Sequence, residues 1–161
     1  MEIHYNFTGP GDLNRYPSKT LATSHTNFFL RAYVYFSEAS PPATLVGKKL
    51  FWVANSNDPN DGWQVLLSCL QKIGEPNTLY ISCGAQTTNQ NGGGSGSWAA
   101  NDLSTMVRDT WYSLEIELQL NTPGVSNGVY RVWLNDAQIY NSSNRDLRWD
   151  DTRAMQYFRV G

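Results

Sequence analysis

An all-β fold, an antiparallel β-sandwich with little or no helix, is what this sequence predicts, on three observations. Apolar and polar residues alternate with period two in several separate stretches, the spacing of strands with one buried face. Pro, Gly, Asn and Asp cluster between those stretches, as turns require. No segment long enough for a helix carries apolar residues at the 3.6-residue period. The chain has 161 residues, enough for one domain spanning 1–161 that buries most of its extended-chain surface.

Taken in order, Glu2 to Phe7 alternates weakly and is read as a first strand, followed by a Gly/Pro/Asn loop to Ser18. Asn27 to Ser37 is a clear strand, with Phe28, Leu30, Ala32, Val34 and Phe36 on one face and Phe29, Arg31, Tyr33 and Tyr35 on the other. Lys48 to Asn55 is another. Simple alternation there sets Leu50, Trp52 and Ala54 against Lys49, Phe51 and Val53. Trp63 to Ile73 and Thr78 to Ala85 make a hairpin about Gly74-Glu-Pro-Asn77. That hairpin brings Cys69 near Cys83. Cross-strand bridges have demanding geometry, so two small buried thiols are expected rather than a disulfide. Residues 86–109, with the run Gln90-Asn-Gly-Gly-Gly-Ser-Gly-Ser97, are predicted as a mobile loop, ending in a short helical turn at Asn101–Val107. Trp111 to Tyr140 is a β-meander. Tyr112, Leu114, Ile116, Leu118 and Leu120 form one face of its first strand, Asn121 to Gly128 is turn, and Asn135-Asp136 makes a two-residue turn between the second and third strands. Asn141 to Arg153 is read as loop. Met155 to Gly161 is a last strand, with Tyr157 and Arg159 sharing one phase and Phe158 and Val160 the other.

Composition narrows function. A net charge of -2 leaves no basic footprint for nucleic acid, and no apolar run approaches the ~20 residues that span a bilayer. Aromatic content is 13%, with six Trp and nine Tyr, residues whose flat apolar faces and polar edges suit contact surfaces.

The succession FFLRAYVYFS, GKKLFWV, TWYSLEIELQLNTPG, SNGVYRVWLND and YFRVG resembles the concanavalin A-like lectin/glucanase jelly roll. Within it, the polysaccharide-lyase-like and laminin-G-like branch is nearest, where a Trp-led strand runs into a glycine hairpin. The resemblance covers the chain from Asn27 onward. It implies two stacked antiparallel sheets whose concave face binds a glycan, and a place outside the cell or on a particle surface. It also implies a further strand after the last one, which the N-terminal strand, a continuation of the chain in a longer protein, or a neighbouring chain in a homo-oligomer or larger assembly would supply.

The residues expected to bind a glycan are Arg31, Tyr33, Tyr35, Lys49, Arg131, Trp133, Tyr157 and Arg159. Arg holds carboxylates bidentately, while Tyr and Trp stack on sugar rings. The first functional expectation is a non-catalytic polysaccharide-binding domain. A lyase acting on a uronate-containing glycan is the alternative, with Arg31, Tyr33, Tyr35 and Tyr157 as its catalytic set. Tyr157 to Gly161 resembles the YFKAG-type strand of some alginate lyases, although that group's R-x-E-x-R and Q-I-H strands are absent. A structural or adhesive module, such as a virion-surface or filament subunit, is the third expectation. Glu115 and Glu117 share a strand face, as in retaining glucanases of this fold, but Gln119 stands in the third position, and a solvated polar face is expected. No cofactor is expected. Asn57, Asp58, Asn60 and Asp61 form the one oxygen-rich loop that suits Ca²⁺, without EF-hand spacing.

Overall fold

The computed structural model describes residues 18–36, 46–55, 62–72, 74–75, 77–88, 96–149 and 151–160. These form ten strands: β1 (Ser18–His25), β2 (Asn27–Tyr35), β3 (Val46–Ala54), β4 (Gly62–Gln71), β5 (Thr78–Thr88), β6 (Gly96–Val107), β7 (Trp111–Gln119), β8 (Gly128–Leu134), β9 (Ala137–Arg145) and β10 (Met155–Val160). Six make one sheet in the order β1-β10-β3-β4-β5-β6, and four make a second in the order β2-β7-β8-β9. Every neighbouring pair is antiparallel, and no helix occurs among the described residues.

The core lies between the sheets because alternation puts every second residue inward. From the six-stranded sheet come Phe51, Val53, Trp63, Val65, Leu67, Ile81 and Met106; from the four-stranded sheet come Leu114, Ile116, Leu118, Tyr130 and Val132. Cys69 and Cys83 are free and buried. Cys83 pairs in register with Leu67 and Cys69 with Ile81, so the two thiols sit diagonally rather than opposite. Burial raises the Cys83 thiol to about 12, which makes it inert at neutral pH. Tyr130 ties the layers together. Its ring is fully buried, and its hydroxyl donates to the Leu66 carbonyl at 2.9 Å across the sandwich. Tyr130→Phe should cost about 1 kcal/mol. Urea unfolding should show a lower midpoint with an unchanged slope.

Behind the meander sits Asn121, with no exposed surface. Its Oδ1 accepts from the N–H groups of Leu147 and Arg148 at 2.9 and 3.1 Å. Its Nδ2 donates to Asp146 Oδ1 at 2.9 Å and to the carbonyls of Thr122 and Trp149. The Arg148 Nε–H donates back to the Asn121 carbonyl at 2.8 Å. One amide thus holds the whole segment that follows β9 against the end of β7.

Four elements differ from the sequence expectation. Residues 86–109 are mostly strand: β5 runs to Thr88 and β6 from Gly96 to Val107, and only 89–95 lie outside the described residues. The expected helical turn at Asn101–Val107 is β6 itself, irregular because its register shifts opposite Ile81–Cys83 and Asp102 has φ of 56°. The chain after Tyr140 continues as β9 to Arg145: Asn141, Ser143 and Asn144 are exposed, Arg145 lies over the Trp98 and Tyr140 rings, and the backbone completes the ladder with β8. β1 was not foreseen; Leu21 is its one residue packed on the core. The strand read at Glu2–Phe7 lies outside the described residues.

Candidate functional site

The outer face of the six-stranded sheet is assembled by register. β10 pairs with β3, β3 with β4, and β4 with β5, and three rows of outward side chains follow. Tyr157, Ala54, Gln64 and Gln86 make the first row. Arg159, Trp52, Leu66 and Gly84 make the second. Lys49, Ser68 and Ser82 make the third. Strands stand ~4.8 Å apart, so Tyr157 and Gln64 flank small Ala54 with ~10 Å between their backbones.

Lys49 reaches this face through a β-bulge. Simple alternation would place it with Phe51 and Val53, but the β3–β4 register shifts between Lys49 and Phe51, so Leu50 and Phe51 both turn inward. Lys49 therefore joins Trp52. Its Nζ lies 4.6 Å from the Trp52 ring centroid, and the Arg159 Cζ lies 4.5 Å from the same centroid. Two cations share one indole. Burial, and after it the Arg159 guanidinium, hold the Lys49 pKa below the usual 10.5. No carboxylate is recorded against Lys49 among the described residues.

The face is recessed, not flat. Gln64 and Ser82 point outward yet are only 5% and 3% exposed. Gln64 Oε1 and Ser82 Oγ are buried with no hydrogen-bond partner among the described residues, an unusual state for polar atoms. A hollow of about 140 Å³ lies beside them, lined by Leu66, Ser68, Ser82, Gly84, Gln86 and Asn101. Gly84 leaves it room; a Cβ there would stand 2.6 Å from the Trp98 carbonyl. The recess thus has a cationic half on β3 and β10 and an uncharged hydrogen-bonding half on β4, β5 and β6.

The eight expected glycan-binding residues divide between two faces. Lys49, Tyr157 and Arg159 come together in the recess. Arg31, Tyr33, Tyr35, Arg131 and Trp133 lie on the outer face of the four-stranded sheet, on the other side of the sandwich. The sequence pattern reports strand phase but not sheet membership, hence the split. On that second face each Arg is engaged by carboxylates of its own sheet. Arg31 meets Asp136 at 2.8 Å and Glu115 at 3.3 Å, and Arg131 meets Glu117 at 2.9 Å. Glu115 and Glu117 are therefore ion-pair partners of the two arginines on this face. Tyr35 packs at a tilt against Trp111, with centroids 5.2 Å apart, and donates to Asp109 Oδ1, which raises its pKa.

Trp52, Gln64 and Ser82 were missed. Simple alternation set Trp52 on the face opposite Lys49, and only the bulge brings the two together; the burial of Gln64 and Ser82 has no sequence signal. Asn57, Asp58, Asn60 and Asp61 lie outside the described residues, and no cluster of three or more His, Cys, Asp or Glu occurs among those described.

No family model matches the chain, and no curated protein matches it in sequence. Solved structures do resemble it in fold. An endo-β-1,4-glucuronan lyase from the fungus Trichoderma reesei aligns with a TM-score of 0.61 at 16% identity, covering 95% of this chain and 65% of that one. The marine PL-14 alginate lyase from Aplysia kurodai gives 0.59 at 16% identity, covering 87% and 61%. A mutant of the alginate lyase Aly36B in complex with alginate trisaccharide gives 0.58 at 13% identity, covering 86% and 60%. The chain spans less than two thirds of the length of each. These likenesses establish the β-sandwich fold.

Proposed function

We propose that the recess on the six-stranded sheet binds a uronate-containing polysaccharide and cleaves it by β-elimination. The observation that carries this reading is the pair of cations, Lys49 and Arg159, on Trp52, one row from Tyr157. Two like charges held together in a desolvated place favour an anion between them. A uronate carboxylate fits, with Trp52 as the buried floor that holds the two cations together. Neutralising that carboxylate acidifies the adjacent ring C–H. On this reading Tyr157 takes that proton and supplies one to the departing glycosidic oxygen. The C–H and C–O bonds break, a C=C bond forms between the two carbons, and no water is consumed. Ser68, Gln86 and Asn101, which line the hollow, receive hydroxyls of neighbouring sugar units.

The solved lyases with this sandwich support the same reading, as they do the resemblance to the concanavalin A-like superfamily. A polymer substrate suits work outside the cell or on a particle surface.

The test is incubation with glucuronan, alginate and glycosaminoglycans, following ultraviolet absorbance of the new double bond. Product formation supports the full reading. Saturable binding without product would leave a non-catalytic polysaccharide-binding domain, and neither binding nor product would overturn both.

Lys49 sets a pH dependence. With its folded pKa below 10.5, the cation's penalty on the fold is present at neutral pH and is relieved as pH rises through the lowered value toward 10.5. A bound carboxylate needs the protonated form. Affinity for uronate oligomers should therefore hold through neutrality and fall with alkalinity, beginning below 10.5. Calorimetric titration across pH checks this, and Lys49→Arg should move the fall beyond the accessible range.

A further inference from the structure

β2 is an edge strand. It pairs with β7 along its whole length, from Asn27 opposite Gln119 to Tyr35 opposite Trp111, and with no other strand among the described residues. Edges of this kind are usually blunted by Lys, Pro or a bulge. β2 has none of these over its nine residues, and it exposes Phe29 (61%), Tyr33 (66%) and Tyr35 beside Trp111.

We propose that β2 pairs with β2 of a second copy about a twofold axis through Ala32, joining the two four-stranded sheets into one of eight strands. Register selects this arrangement. Directly opposed residues share a face, so only every second offset is allowed. The offset of fullest overlap sets Arg31 against Arg31 of the second copy, which is unfavourable. Of the two next, the one centred on Leu30 sets Tyr33 against polar Asn27 and leaves Tyr35 outside the β2 pairing, whereas the one centred on Ala32 sets Arg31 against Tyr33, Phe29 against Tyr35, Leu30 against Val34 and Phe28 against Phe36. These are a cation over an aromatic ring, two aromatic pairs and an aliphatic pair. A sequence that complements itself in this way fits an isologous interface. A charged ligand suits this face less well, because Arg31 and Arg131 are already held by Glu115, Asp136 and Glu117.

The axis stands perpendicular to the shared sheet, so both six-stranded sheets lie on one side of it. Both recesses then open the same way, and a single long polymer can engage two of them. This consequence rests on the proposed function; the dimer does not.

Light scattering tests the dimer without any glycan. The wild-type mass should approach twice 18.1 kDa as concentration rises. Tyr33→Lys, which changes an exposed side chain and opposes Lys to Arg31, should stay at single mass with unchanged far-ultraviolet dichroism. Phe29→Cys/Tyr35→Cys should oxidise to a covalent dimer, since these positions are opposed between copies and ~20 Å apart within one chain. Phe29→Cys/Tyr33→Cys, matched to the Arg31-centred offset, should not. A wild-type mass that stays single across about three decades of concentration would overturn the proposal. So would equal crosslinking of the two cysteine pairs.

Discussion

Under the proposed function, Arg159→Gln is expected to lower the rate of uronate elimination by about 10²–10³-fold, the scale of losing one preorganised group on developing negative charge. The variant keeps a polar side chain of similar length at the rim of Trp52 but removes the charge next to Lys49. Proton removal beside a carboxylate builds negative charge on that carboxylate, so the loss should fall chiefly on kcat. Two accompanying effects make the result specific. The Lys49 pKa should rise, because its nearest cation is gone, and the alkaline fall in affinity should move upward with it. The urea midpoint should change little in comparison with kcat. Equal losses of kcat and stability would instead mark Arg159 as a structural residue. Steady-state kinetics with the best substrate of the panel, beside an unfolding curve, decides between them.

The largest effect on stability is expected at Asn121. Asn121→Leu fills the space but leaves the buried N–H groups of Leu147 and Arg148 without their acceptor, while Asp146 Oδ1 and the Trp149 carbonyl keep the N–H groups of Trp149 and Gly124. Each buried group left unpaired costs ~1–3 kcal/mol, so a loss of about 4 kcal/mol is expected. Chemical denaturation measures it. Asn121→Asp separates the two halves of the hub. A carboxylate accepts both N–H groups but meets Asp146 Oδ1, where the amide donated at 2.9 Å. Its cost should therefore shrink as pH falls and one of the two carboxyls becomes protonated. The leucine variant should show no such dependence. A cost for Asn121→Leu below about 1 kcal/mol would mean that the segment after β9 is held by other contacts.

How much of this was legible in the sequence depends on what each feature required. The meander from β7 to β9 was readable because its inward positions are consistently apolar and its turns carry the residues that positive φ demands. Asn135 and Asp136 have φ of 49° and 63°. β10 was readable for the same reason, including the phase of Tyr157 and Arg159. β1 was not, since an edge strand with one packed leucine has no alternation to show. β6 was hidden because its glycine- and serine-rich start reads as loop and its register shift breaks the period. The candidate site was half legible. Residue chemistry named Lys49, Tyr157 and Arg159, but assigning them to one face needed the strand order, which local pattern does not carry. The same gap joined Arg31 and Trp133 to a set that lies across the core. Gln64 and Ser82 could not be found at all, because polar residues on an outward phase are ordinarily solvated. Only the recess makes them otherwise.

The bulge in β3 also bears on how strands slide. In a regular nine-residue strand, a slip of one position merely exchanges faces, and chains with weak patterning do slip. β3 obeys one parity before Leu50 and the opposite parity after it. Any slip that smoothed the strand would drive the Lys49 ammonium between the sheets while turning apolar side chains out to water, a cost of several kcal/mol. The extra residue thus acts as a pawl. β3 has one seating between β10 and β4, and mispaired chains that would seed strand exchange between molecules are penalised at the centre of the sheet rather than at its edge.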